Sequence, residues 1–303
     1  EIHEQPKAVK DTINPRIRDN EIVIEELNMS EDDIRKLNKI YIVACGSAYH
    51  TGVTGKYVIE DLARIPVEVD LASEFRYRNP ILDDKTLTII ISQSGETADS
   101  LAALREAKRQ GVKVLGIINV VGSSIAREAD NVMYTWAGPE IAVATTKAYS
   151  TQLCALYLLA LHFAKVRGTL PQDRYRQLLA DLKKLPEQIQ DIIDKNISRI
   201  QYYASKFVAV KDCFFIGRGI DYTTALEGSL KLKEISYIHS EAYPAGELKH
   251  GPIALIEDGT LVIAILTQEE LNKKTISNIV EVKSRGAQVF TVAFEGNEEA
   301  EKV

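Results

Sequence analysis

The sequence predicts an α/β protein: two tandem three-layer αβα sandwiches, each on a parallel sheet, with the second cut short. Three observations carry this. Short continuous apolar runs such as LTIII (Leu87–Ile91) and TLVIAIL (Thr260–Leu266) suit strands buried on both faces. Helical patterns follow them, over Ser100–Gln110 and Glu269–Arg285, and strand–helix alternation implies right-handed crossovers. The same order of segments occurs twice, with matching positions 171 to 175 residues apart (Gly46 to Gly217, Thr86 to Thr260, Gly111 to Gly286), which indicates a duplicated unit.

The elements of the first copy follow in order. YIVACGSAY (Tyr41–Tyr49) is a strand entering a glycine-containing turn, and a helix over Ala48–Arg64 follows it. TLTIIISQSGET (Thr86–Thr97) is the second strand and RQGVKVLGIINV (Arg109–Val120) carries a third over Val112–Ile118. A short strand at Val132–Tyr134 and a long helix over about Thr145–Arg167 complete it. Leu170–Lys206 is charged, periodic and free of glycine. It is predicted to be a helical connector that Pro171 and Pro186 break into separate helices. The second copy has CFFIGRGIDY (Cys213–Tyr222), TLVIAILTQEE (Thr260–Glu270) and SRGAQVFTVAF (Ser284–Phe294), and lacks counterparts of the last strand and long helix. The expected division is a first domain with an N-terminal extension at 1–168, a connector at 169–206 and an incomplete second domain at 207–303.

Composition narrows the function. The chain of 303 residues has 45% hydrophobic and 26% charged residues, ordinary globular usage that excludes disorder and collagen-like sequence. A net charge of -6 gives no general attraction to nucleic acid or anionic lipid, so an anionic ligand needs a local site. Apolar runs such as Leu153–Leu161 are too short or too interrupted to span a bilayer, and EIHEQPKAVKD at the start lacks the apolar core of a secretory signal. Cys45, Cys154 and Cys213 are odd in number and lack CxxC spacing, which leaves no disulfide framework and no zinc site. They are expected to be buried, inert thiols of a cytoplasmic protein.

The first chemical candidate is SQSGET. It ends a predicted strand and opens a helix, where open α/β sheets bind ligands. Free amides and the helix dipole favour an anion there, Ser92, Ser94 and Thr97 add hydroxyls, Gly95 admits close approach, and Gln93 offers an amide to a sugar hydroxyl. Capping by Ser94 or Thr97 is the competing reading, against which the continuous run of three hydroxyls, a glutamine and a glycine argues. Ser47 in CGSAY sits at the equivalent turn of the preceding strand and serves equally as ligand contact or as N-cap. Dinucleotide and NTP motifs fail: Gly217-Arg-Gly219 is followed by Ile-Asp-Tyr222, and Gly52-Val-Thr-Gly55-Lys56 lacks P-loop spacing.

The second candidate lies in ALEGSLKLKEISYIHSEAYPAGELKHGP (Ala225–Pro252). Glu227, Lys231 and Glu234 at i, i+4 and i+7 share one helix face, as a proton-transfer pair or as surface ion pairs, and spacing alone favours the latter. His250 lies in a segment bracketed by Gly246 and Gly251-Pro252, and histidine is a residue type suited to proton shuttling to a ring oxygen. His239 is read as structural.

CGSAY, ASEFRYR (Ala72–Arg78), SQSGETADS, the TKA–TQ pattern (Thr146–Gln152), GRG (Gly217–Gly219), the long Ala225–Pro252 segment and NIVEVKSRG (Asn278–Gly286) together resemble the glutamine–fructose-6-phosphate aminotransferase family. The resemblance is to its isomerase half, a pair of sugar isomerase (SIS) domains, over essentially the whole chain. SQSGET marks only the SIS superfamily; ASEFRYR and the Lys-Glu-His segment point to the aminotransferases. The resemblance implies that Ser92, Gln93, Ser94 and Thr97 hold a sugar phosphate with help from Ser47, and that Val143 and Thr145 line the sugar. It implies that Glu234 moves a proton between C1 and C2, that Lys231 assists, and that His250, contributed across a dimer interface, opens the ring. No cofactor or metal is implied. The family's glutaminase domain, expected in the native full-length chain, is outside this sequence, as is its C-terminal tail with the Schiff-base lysine, and CGSAY has Ala48 where many members carry a hydroxyl. The implied function is ketose–aldose isomerisation of fructose 6-phosphate in amino-sugar biosynthesis by a homodimer. The alternatives are a stand-alone phosphosugar deaminase or deglycase, against which ASEFRYR argues, and a phosphosugar-binding module without turnover.

Overall fold

The computed structural model describes residues 1–302. Two compact units divide the chain, Glu1–Lys195 and a second from Asn196 onward. The first contains α1 (Gln5–Ile13), a hairpin of β1 (Ile17–Arg18) and β2 (Glu21–Ile22), α2 (Glu31–Lys36), β3 (Lys39–Ala44), α3 (Gly46–Ala63), β4 (Val67–Leu71) and α4 (Ala72–Phe75). Then come β5 (Thr86–Ser92), α5 (Ala98–Arg109), β6 (Lys113–Ile118), α6 (Ser124–Glu128), β7 (Asn131–Tyr134), α7 (Lys147–Arg167) and the start of α8 (Gln172–Lys206). The second unit holds the end of α8, β8 (Asp212–Gly217), α9 (Ile220–Ser236), β9 (His239–Pro244), β10 (Leu261–Leu266), α10 (Asn272–Lys283), β11 (Gln288–Ala293) and α11 (Glu298–Glu301).

The first sheet is parallel, in the order β4-β3-β5-β6-β7. Its central strands are buried on both faces because alternate residues enter different cores. Ile40 and Ile42 join Leu87, Ile89 and Ile91 against α3 and α7, while Tyr41, Val43 and Ile90 join Ala103, Leu104 and Ala107 of α5 on the other face. Each such buried aliphatic side chain contributes ~1.5–3 kcal/mol. The second sheet is also parallel, in the order β11-β10-β8-β9. That order repeats β6-β5-β3-β4, so the duplication extends to strand pairing. Close packing shapes its first turn: a Cβ on Gly217 would lie 2.5 Å from the Asp221 carbonyl carbon, so only glycine lets β8 turn so tightly into α9.

Two expectations are corrected. Pro171 stands just before α8, but Pro186 lies inside it and does not divide it. A proline there removes one backbone bond and disfavours the helix by roughly 3 kcal/mol. Tyr175, Leu178, Leu179, Leu182, Leu185 and Ile189, at helical spacing around the proline, all pack on the first unit's core and carry the helix through it. Cys154 and Cys213 are buried as expected, with burial pushing both thiols up to about 12, but Cys45 is half-exposed. It stands at the strand-to-helix turn, where the buried strand has already ended.

Candidate functional site

Chain order reverses between β3 and β5: β3 passes to β4 on one side, whereas β5, β6 and β7 proceed on the other. A crevice at the carboxyl ends of strands is expected at such a switch point. Register pairs Ala44 with Ile91, so the turns after β3 and β5 are neighbours at this edge.

The turn after β5 is SQSGET. Ser92, only 3% exposed, accepts the Gly95 amide at 3.0 Å and shares a 3.2 Å hydrogen bond with the Thr97 hydroxyl. Ser94 accepts the Glu96 amide at 3.2 Å. A hydroxyl that accepts from the backbone is oriented by it and keeps its own proton to donate. One of the two protons on Ser92 and Thr97 closes their mutual bond, which leaves the turn two hydroxyl protons with that of Ser94. Thr97 is the N-cap residue of α5 but makes no side-chain cap bond, so its hydroxyl is not consumed by the helix start. Gly95 has φ +66, and a Cβ there would meet the Ser123 hydroxyl at 2.0 Å, so the turn requires glycine. Gln93 is half-buried and its carbonyl accepts the Asn119 amide at 3.2 Å, tying the turn to the end of β6.

Two carboxylates flank this turn. Glu96 accepts the Ser124 amide at 2.7 Å, and Ser124 holds its carboxyl below the usual range. Asp99, in the first turn of α5, pairs with Arg76 at 2.7 Å.

Ser47 does not cap α3. The helix starts at Gly46 with Cys45 as N-cap, so half-buried Ser47 lies within the first turn, beside the SQSGET turn. Val143 and Thr145 occupy the loop from β7 to α7. Val143 is 94% exposed, and Thr145 donates to Glu140 at 2.5 Å. Glu140 also accepts the Thr146 and Ala148 amides at 2.8 and 3.3 Å, and so sets the loop against the start of α7. The sequence signals neither this role of Glu140 nor the Arg76–Asp99 pair, since both depend on chain segments that meet only in the fold.

In the second unit, helix periodicity brings Glu227, Lys231 and Glu234 together. Lys231 contacts Glu234 directly and lies 3.5 Å from Glu227, which is 5% exposed. An ammonium between two carboxylates, one of them buried, is a proton-transfer arrangement as well as an ion cluster. His250 lies in the exposed turn after β9, its amide donating to the Glu247 carbonyl at 2.9 Å. His239 is exposed beside Asp212 at 3.3 Å and supports no core. Among the described residues no group of three His, Cys, Asp or Glu side chains has metal-binding geometry, and no helix is long and apolar enough to cross a membrane.

A duplicated parallel α/β unit with a hydroxyl-lined turn at its switch point defines the class of protein. The family model described as SIS domain matches residues 33–162 and 206–301, and the chain belongs to that family. It is 62% identical to the glutamine–fructose-6-phosphate aminotransferase (isomerizing) of Caldanaerobacter subterraneus subsp. tengcongensis, over 100% of this chain and 50% of that protein. The C-terminal domain of glucosamine-fructose-6-phosphate aminotransferase from Francisella tularensis superposes with a TM-score of 0.94 at 42% identity, over 98% of this chain and 84% of that one. A glucosamine-6-phosphate deaminase from Thermotoga maritima superposes at 0.72 with 27% identity, over 97% and 85%. The chain thus spans about half the length of the curated relatives it matches.

Proposed function

We propose that the chain is the isomerase part of a glutamine–fructose-6-phosphate aminotransferase, which works as a cytoplasmic homodimer with a glutaminase domain in the full-length protein. Ser94 and the free hydroxyl proton of the Ser92–Thr97 pair donate to the phosphate of fructose 6-phosphate, with the α5 N-terminus and Ser47 beside them. Gln93, Val143 and Thr145 line the sugar. Glu234 removes the proton from C1 and returns it at C2, converting ketose to aldose. Lys231 holds the carboxylate and assists the transfer, and His250 of the second subunit opens the ring. The observation that carries this reading is the SQSGET turn at the switch point of a chain matched along its entire length to aminotransferases. The deaminase likeness is weaker, and ASEFRYR favours the aminotransferase.

Exchange of the C1 hydrogen of fructose 6-phosphate with deuterated water tests the chemistry. Replacement Glu234→Gln is expected to abolish exchange and leave sugar binding within about threefold, since it removes the base and keeps the shape. Unaltered exchange would remove Glu234 from the reaction.

A further inference from the structure

ASEFRYR reaches α5, the helix that follows the SQSGET turn. Arg76 closes α4 at the carboxyl end of β4, and its Nη1 donates to Asp99 Oδ1 at 2.7 Å. Asp99 lies two residues beyond Thr97, in the first turn of α5. An acid there stabilises the helix start through the dipole. It also places a negative charge beside the proposed dianion site, the SQSGET turn, whose own residues include no cation. Glu96, the other carboxylate, is engaged by Ser124. Asp99 has Arg76, whose guanidinium is also held over the Tyr77 ring at 4.7 Å.

We propose that Arg76 is a positioning residue of the phosphate cradle: by neutralising Asp99 it lets a site of amides and hydroxyls accept a dianion. The inference rests on the phosphosugar reading above. A bare Asp99 repels a dianion twice as strongly as a monoanion. At roughly 8 Å in a water-like medium, this corresponds to about a three- to tenfold loss of affinity. The pair is partly exposed, with side chains 31% and 40% accessible, so salt weakens the effect.

Calorimetric titration with fructose 6-phosphate at low salt, on wild type, Arg76→Ala, Arg76→Lys, Asp99→Asn and the Arg76→Ala/Asp99→Asn double variant, decides the matter. Arg76→Ala is expected to bind about three- to tenfold more weakly and Arg76→Lys to stay within about twofold of wild type. Asp99→Asn should bind as tightly as wild type or more tightly. The double variant should recover to within about twofold, because removing the repelling charge makes its partner dispensable. A double variant as weak as Arg76→Ala would overturn the proposal, since Arg76 would then act by packing or by touching the phosphate itself. An Arg76→Ala variant as tight as wild type would overturn it too. A wild type that binds neither fructose 6-phosphate nor inorganic phosphate would sink the cradle reading, and this inference with it.

Discussion

Serine and threonine hydroxyls give this candidate site its character: the two serines are fixed by accepting from the backbone, and Thr97 by its bond with Ser92. Ser92 and Ser94 both accept amides of their own turn, which orients both hydroxyls in advance. The face shared by Glu227, Lys231 and Glu234 was legible from 3.6-residue periodicity alone. The placement of Cys45, the capping of α3 and the pairing of Asp99 were not, since they depend on where a strand ends and which segment lies beside it. His162 offers a prediction at this scale. Burial and the neighbouring Lys165 hold its imidazole below the ordinary 6.5, and its Nδ1 has no hydrogen-bond partner. The unfolded chain therefore takes up that proton first as pH falls. The contribution is complete above the unfolded value and is lost as pH drops toward the folded one. The melting temperature of His162→Gln should fall less steeply than wild type between about pH 7 and 5; parallel declines would contradict the assignment.

At the scale of elements, continuous apolar runs identified the central strands because burial on both faces demands them. The edge strands β4 (VEVDL) and β9 (HSEAYP) escaped notice, since each is largely half-exposed or polar and resembles loop. The error at Pro186 has the opposite cause. A local rule said stop, but an apolar stripe on both sides of the proline bound the helix to the first unit's core. Replacement Pro186→Ala restores an amide that can donate to the Leu182 carbonyl. Allowing for the freer unfolded chain, it should stabilise by about 1–2 kcal/mol in a denaturant titration. Destabilisation would mean that the proline's bend is itself needed for packing.

At the scale of the whole molecule, the repeat was visible as spacing in the sequence, and the fold extends it to strand order: β11-β10-β8-β9 repeats β6-β5-β3-β4. Strand order cannot be read from spacing, because pairing is set by which crossover covers which face. The switch point between β3 and β5 therefore emerged only from the structure, and it sets the SQSGET turn at the strand edge where open α/β sheets are expected to bind ligands. The central claim is that hydroxyls and helix-start amides, without a cation in direct contact, hold a dianionic sugar phosphate. Calorimetry of fructose 6-phosphate binding to the Ser92→Ala/Ser94→Ala variant tests it most directly. Loss of two charge-assisted hydrogen bonds should weaken binding at least about a hundredfold, below detection for a micromolar-to-millimolar ligand. An affinity equal to that of the unsubstituted chain would contradict the account.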